Sequence, residues 1–220
     1  WYENDGNANP SFTAATIATS AGGARSVYAA DMDGDGDLDI VSASTLDDTI
    51  AWYENDGNAD PSFTATDIAT SADGAITAIA TDIDGDGDMD ILSASYYDDT
   101  IAWYENDGNT NPSFTAADIA TSAYQAGTVY AADMDGDGDI DILSSSLGDD
   151  TIAWYENDGN ADPSCTATDI ARSANGAITA IATDIDGDGD MDILSASYYD
   201  STIAWYENDG NTNPSFTAAD

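Results

Sequence analysis

The sequence predicts an all-β chain, a β-propeller-type array of four-stranded antiparallel blades built on a 51-residue repeat. Three observations carry that prediction. The hexapeptide WYENDG begins at Trp1, Trp52, Trp103, Trp154 and Trp205, at constant spacing. Between successive copies lies one aspartate-rich nonapeptide: DMDGDGDLD, DIDGDGDMD, DMDGDGDID and DIDGDGDMD, starting at Asp31, Asp82, Asp133 and Asp184. The remaining residues form short β-branched, aromatic and alanine runs punctuated by Gly, Asn, Asp and Pro, and no stretch has helical periodicity with caps at both ends. A four-strand meander recurring every ~40 to 50 residues is the pattern of a propeller blade.

Residues 1–22 open the chain as half a blade, since Trp1 to Thr19 repeats only the part of the unit that supplies strands three and four. Fuller units follow at 23–73, 74–124, 125–175 and 176–220. The second full unit illustrates them all. ITAIATD (Ile76 to Asp82) is its first strand, and DILSAS (Asp90 to Ser95) follows the acidic loop as the second. A turn at Tyr97, Asp98 and Asp99 leads to TIAWYEN (Thr100 to Asn106), and DGNTNPS connects this third strand to FTAADIATS (Phe114 to Ser122).

The first strands are rich in small residues (Ala29, Ala30, Ala78, Ala80, Ala131, Ala132, Ala180, Ala182), which suits a crowded innermost position. Each motif Trp shares a strand face with the Ile two residues earlier (Ile50, Ile101, Ile152, Ile203), so both are assigned to packing between blades. Residues 74–98 recur from Gly176, and the first and third units share VYAADMDGDGD, as duplication of a two-blade unit would produce. The half blade leaves an edge whose backbone groups lack partners. The chain is therefore expected to belong to a longer array, or to be completed by another copy. Its opening on Trp in mid-motif reads as a processed form or a fragment.

Composition narrows the partners. The chain has 220 residues, 42% of them hydrophobic, with 12 Tyr and 5 Trp, enough for true cores. Its formal net charge is -42, from 44 acidic residues against Arg25 and Arg172, with no His. Such a surface repels nucleic acid and anionic membrane and attracts cations. No apolar run approaches the ~20 residues of a membrane span. Cys165 stands where other repeats carry Phe12, Phe63, Phe114 and Phe216, and reads as a substituted core side chain.

The nonapeptides are the candidate cation sites. Their carboxylates are Asp31, Asp33, Asp35, Asp37 and Asp39; Asp82, Asp84, Asp86, Asp88 and Asp90; Asp133, Asp135, Asp137, Asp139 and Asp141; and Asp184, Asp186, Asp188, Asp190 and Asp192. Positions one, three and five can converge on one ion, and glycine at six permits the sharp turn. Position seven can offer its carbonyl, and nine a further carboxylate. All-oxygen ligation favours Ca²⁺, about one per complete repeat and four in all; zinc would want His or Cys. Without a cation, two carboxylates ~4 Å apart repel by ~1 kcal/mol in water and ~4 kcal/mol at the effective dielectric of a protein surface. An EF-hand shares the opening but needs a Glu at position twelve, where this chain has Ser42, Ser93, Ser144 and Ser195. The acidic pairs Asp47 and Asp48, Asp98 and Asp99, and Asp149 and Asp150 read as hairpin turns.

The loop Asp-x-Asp-Gly-Asp-Gly-Asp-x-Asp between two strands, followed by IAWYENDG, resembles the FG-GAP/VCBS repeats of integrin-like β-propellers. That resemblance implies Ca²⁺ at the five aspartates of each loop, and an extracellular, secreted or cell-surface module for adhesion, ligand binding or scaffolding.

Repetition, together with the absence of His and Lys and of any base for Cys165, argues against an enzyme. Two readings remain. One is a calcium-binding extracellular repeat protein with a structural or adhesive role, self-associating with further copies or repeats, even into a fibre. The other is a carbohydrate-binding propeller using Tyr96, Tyr97, Tyr124, Tyr198 and Tyr199 as platforms for a glycan.

Overall fold

The computed structural model describes residues 1–219; Asp220, the expected end of the last unit, lies outside the described residues. All secondary structure among them is β. The half unit forms a two-stranded sheet from β1 (Tyr2–Asn4) and β2 (Phe12–Ala14). Four antiparallel meanders follow. The first contains β3 (Ala24–Ala30), β4 (Asp39–Ser44), β5 (Thr49–Asn55) and β6 (Phe63–Ala69). The second contains β7 (Ala75–Thr81), β8 (Asp90–Ser95), β9 (Thr100–Asn106) and β10 (Phe114–Ala120). The third contains β11 (Ala126–Ala132), β12 (Asp141–Ser146), β13 (Thr151–Asn157) and β14 (Cys165–Ala171). The fourth contains β15 (Ala177–Thr183), β16 (Asp192–Ser197), β17 (Thr202–Asn208) and β18 (Phe216–Ala219). Each is a separate four-stranded sheet, and none closes on itself.

Packing explains why no sheet stands alone. A strand alternates its side chains between two faces, so a sheet apolar on both faces needs a neighbour on each. Val41, Ala43, Ile50 and Trp52 of the first meander accordingly pack on Ala75, Ala78, Ile91 and Tyr104 of the second. Ala94, Ile101 and Trp103 meet Ala126, Val129, Ile142 and Tyr155 in the same manner, and Leu143, Ile152 and Trp154 meet Ala177, Ala180, Ile193 and Tyr206. The first strands of successive meanders lie against one another, as their small side chains allow. Trp52 meets Phe114 edge-on at 6.3 Å, and Trp154 meets Phe216 at 6.0 Å. Cys165 occupies the corresponding place beside Trp103, where a cavity of about 360 Å³ remains. Its thiol is half-buried and burial pushes its pKa up to about 11.

The array's end face is visible in one residue type. Ile50, Ile101 and Ile152 are fully buried, whereas Ile203, at the same position of the last meander, is 84% exposed.

The acidic hairpins have structural work that accounts for their charge. Asp48, Asp99 and Asp150 adopt the left-handed conformation (φ 57, 59 and 62) between strands two and three. Their Oδ1 atoms accept the backbone N–H of Gly74 (2.9 Å), Gln125 (2.8 Å) and Gly176 (2.7 Å), which opens the next meander. The hairpin of one sheet is thereby tied to the start of its neighbour.

Candidate metal centres

Each acidic loop joins the first strand of a meander to the second, and its own backbone shapes it. Asp31 accepts the Gly34 N–H at Oδ1 (2.9 Å) and the Gly36 N–H at Oδ2 (3.0 Å). Asp33 accepts the Asp35 N–H (3.2 Å), and Asp35 accepts the Asp37 N–H (2.9 Å). These short-range bonds curl the chain so that successive odd-numbered carboxylates turn inward. Gly36, at φ 97, supplies the conformation that position six requires.

The convergence is tight. One carboxylate oxygen from each of Asp31, Asp33 and Asp35 lies within 4.8 Å of the others, and Asp82, Asp84 and Asp86 do the same. So do Asp184, Asp186 and Asp188, while the third loop gathers Asp133, Asp135 and Asp141. Desolvation raises the pKa of Asp33, Asp84, Asp135 and Asp186, and neighbouring carboxylates in each loop add to the shift. The one ion pair among the described residues, Arg172 with Asp169, lies outside the loops. The clusters therefore have no protein counter-charge.

Two loop positions also have packing roles that spacing did not show. Position nine is almost wholly buried and acts first as a clamp. Asp39 accepts the Met32 N–H (3.1 Å) and the Asn55 N–H (2.8 Å), fastening the loop to β5. Asp90, Asp141 and Asp192 repeat both bonds with Ile83 and Asn106, Met134 and Asn157, and Ile185 and Asn208. Burial raises Asp90 and Asp141 to about 6, against the pull of those N–H donors. The carboxylate of position seven stays out of the three-carboxylate cluster in all four loops. The carboxylates of Asp37, Asp88, Asp139 and Asp190 instead lie over Gly57, Gly108, Gly159 and Gly210, where a β-carbon would collide with them.

Spacing alone missed the asparagine of WYENDG. The Asn106 side chain donates to the Met89 carbonyl of its own loop (3.0 Å) and to the Met32 carbonyl of the preceding loop (2.8 Å), while its Oδ1 accepts the Gly108 N–H (3.1 Å). Asn157 bridges to Ile83, and Asn208 to Met134, in the same way. Successive acidic loops are thus wired in series. Asn recurs in every copy of the hexapeptide, which was the available signal, but beside Asp and Gly it reads as a turn former.

The donor set fits a hard divalent cation. It is all oxygen, it is convergent, and it lacks any basic side chain to balance it. Asp31, Asp33 and Asp35, and likewise Asp82, Asp84 and Asp86, Asp133, Asp135 and Asp141, and Asp184, Asp186 and Asp188, would hold such an ion, whose charge would offset their mutual repulsion. A cavity of about 540 Å³ beside the third and fourth loops, lined by Asp133, Asp135 and Asp190, gives solvent access there.

Repeated four-stranded sheets with an acidic loop at one fixed hairpin define a tandem-repeat β protein. The chain belongs to the FG-GAP-like repeat family, whose pattern matches residues 1–42, 32–93, 82–144 and 137–195. A comparison with curated proteins finds none that matches. Among solved structures, the chain is similar to a protein from Lactobacillus plantarum (16% identity, TM-score 0.56), covering 88% of this chain and 53% of that one. It is also similar to a periplasmic gluconolactonase from Pseudomonas aeruginosa (16% identity, TM-score 0.55), covering 90% of this chain and 53% of that one. The chain thus spans about half the length of these structures, and the likeness is one of fold.

One expectation is corrected here. The sequence argued against an enzyme because its acidic groups are repeated, yet a chain of similar fold is a gluconolactonase. Repetition weighs residues within one repeat, whereas this fold brings residues of several repeats to a common cavity, so repeated motifs do not exclude catalysis. No helix among the described residues is long and apolar enough to cross a membrane.

Proposed function

We propose that the chain is part of an extracellular, calcium-binding β-propeller-type array with a structural or adhesive role. The observation that supports this most is the gathering of three carboxylate oxygens within 4.8 Å in each of four loops without a basic partner. Calcium, one per complete repeat, neutralises each cluster, and the Asn106-type bridges pass that rigidity to the next sheet. Extracellular modules bind Ca²⁺ at ~10⁻⁴ to 10⁻³ M, which external calcium would satisfy. Ile185 and Ile203, exposed on the last meander where their counterparts Met32 and Ile50 are buried, favour stacking on a further repeat or a further copy.

Calorimetric titration of the cation-stripped protein should find four Ca²⁺ per chain, and chelation should lower its melting temperature. Light scattering in calcium should find assemblies that Ile203→Asp disperses. An unchanged melting curve in excess chelator would remove the structural role of the metal.

A second reading, carbohydrate binding, is favoured by tyrosines in the turns. Tyr97, Tyr124, Tyr198 and Tyr199 are all more than half exposed, as rings offered to a ligand must be.

A further inference from the structure

At the end of the first strands remote from the acidic loops, all four of those strands line one pocket of about 380 Å³. Its size falls in the ~300–1,000 Å³ range of small-molecule sites. Arg25 and Ser26 enter from β3, Thr77 from β7, Thr128 from β11 and Ile178 from β15, with Tyr96 from the β8–β9 hairpin. Arg25 lies six residues before Asp31, about 20 Å along an extended strand, so this pocket is separate from the loops.

Its chemistry differs from that of the rest of the chain. Among 44 acidic residues there are two arginines. Arg172 pairs with Asp169, while Arg25 makes no ion pair among the described residues and lines this pocket. A guanidinium presents a planar fork of donors matched to a carboxylate. Hydroxyls of Ser26, Thr77 and Thr128 line the same pocket. Ser26 Oγ accepts the Ala78 N–H (2.9 Å) and keeps its own hydrogen to donate, and the Thr128 hydroxyl sits 2.8 Å from that of Ser145. Tyr96 stands edge-on to Tyr97 with ring centroids 5.1 Å apart. One tyrosine ring, the apolar side chains of Ile76, Leu147 and Ile178, hydroxyl groups and one unpaired guanidinium suit a ring with several hydroxyls and one carboxylate.

We infer that this pocket binds an acidic sugar, with Arg25 receiving its carboxylate and Tyr96 flanking the ring. The inference rests on the carbohydrate reading and names its site and ligand class; it is independent of calcium. Neutral sugars lack the group that Arg25 is placed to hold. Elsewhere the chain's charge repels anions, which restricts an acidic ligand to this place.

The test is a ligand-observed NMR titration with paired methyl glycosides, glucuronide against glucoside, galacturonide against galactoside and mannuronide against mannoside, at fixed calcium. At least one uronide should bind about tenfold tighter than its neutral parent, the scale of one charge-assisted fork. Arg25→Gln should abolish that preference while leaving the melting temperature unchanged, because Arg25 is exposed. Arg172→Gln should leave the preference intact, which separates a local contact from net charge. Equal binding of acid and neutral forms, a preference that survives Arg25→Gln, or one lost equally in Arg172→Gln would overturn the inference and leave carbohydrate binding standing. Binding of no glycoside in the panel would overturn both.

Discussion

Replacing Asn106 with alanine tests whether the acidic loops are mechanically coupled. The substitution removes the amide bonds to the Met32 and Met89 carbonyls and to the Gly108 N–H. At about 0.5–1.5 kcal/mol net each, three such bonds amount to ~2–4 kcal/mol, with the buried carbonyls adding to the loss. The chain contains its own control. Asn55, at the same motif position in the first full meander, bonds only Leu38 O (3.0 Å) and the Gly57 N–H (3.1 Å). Asn55→Ala should therefore cost ~1–3 kcal/mol, and the difference of ~0.5–1.5 kcal/mol reports the bond between sheets. Urea unfolding followed by tryptophan fluorescence at saturating calcium measures both. Calcium titration adds a second readout: Asn106→Ala should weaken the sites of both Asp31–Asp35 and Asp82–Asp86, whereas Asn55→Ala should weaken the first alone. If the two variants are destabilised equally, and Asn106→Ala alters only one site, the loops are not wired in series.

Buried carboxylates, sheet packing and the space beside Trp103 each give a further expected outcome. Burial lifts Asp90 and Asp141 from 3.8 to about 6, so in cation-stripped protein their contribution is fully present below about pH 4 and is lost as pH rises through 6. Calorimetry should find the metal-free melting temperature falling over that window and calcium cancelling the fall; a metal-free protein that stabilises with rising pH there contradicts the assignment. Ile101→Ala should cost ~2–5 kcal/mol by chemical denaturation, whereas Ile203→Ala in the monomer should stay within ~0.5 kcal/mol, because one side chain is buried between sheets and the other faces solvent. Cys165→Phe should fill the space beside Trp103 and raise stability by ~0.5–2 kcal/mol, and a destabilised variant would mean that the cavity cannot take a ring.

Legibility differed between strands and loops for a physical reason. The four-strand units could be read directly because side-chain alternation, β-branching and turn chemistry act over neighbouring residues. The placement of Trp and Ile between sheets followed from the same two-residue period and agrees with the clusters around Trp52, Trp103 and Trp154, but it failed at Ile203, which is 84% exposed because no further sheet among the described residues covers it. The acidic loops were recognisable from spacing, but the roles within them were not. Asp37 and Asp39 look alike in sequence, yet one lies over Gly57 and the other is buried as a clamp on β5. Burial depends on what the third strand brings alongside.

The repeat, the strand succession, the strongly acidic composition and the residues able to gather round a cation were all legible in the chain, because each is a local property of composition and period. Tertiary structure alone decided which carboxylates converge, that Asn106 reaches a carbonyl 74 residues away, and that Arg25 meets Tyr96 and Thr128 in one pocket. Those contacts join different repeats, and the distance between repeats in space is set by how the apolar faces of successive sheets pack, which no single period of the chain encodes.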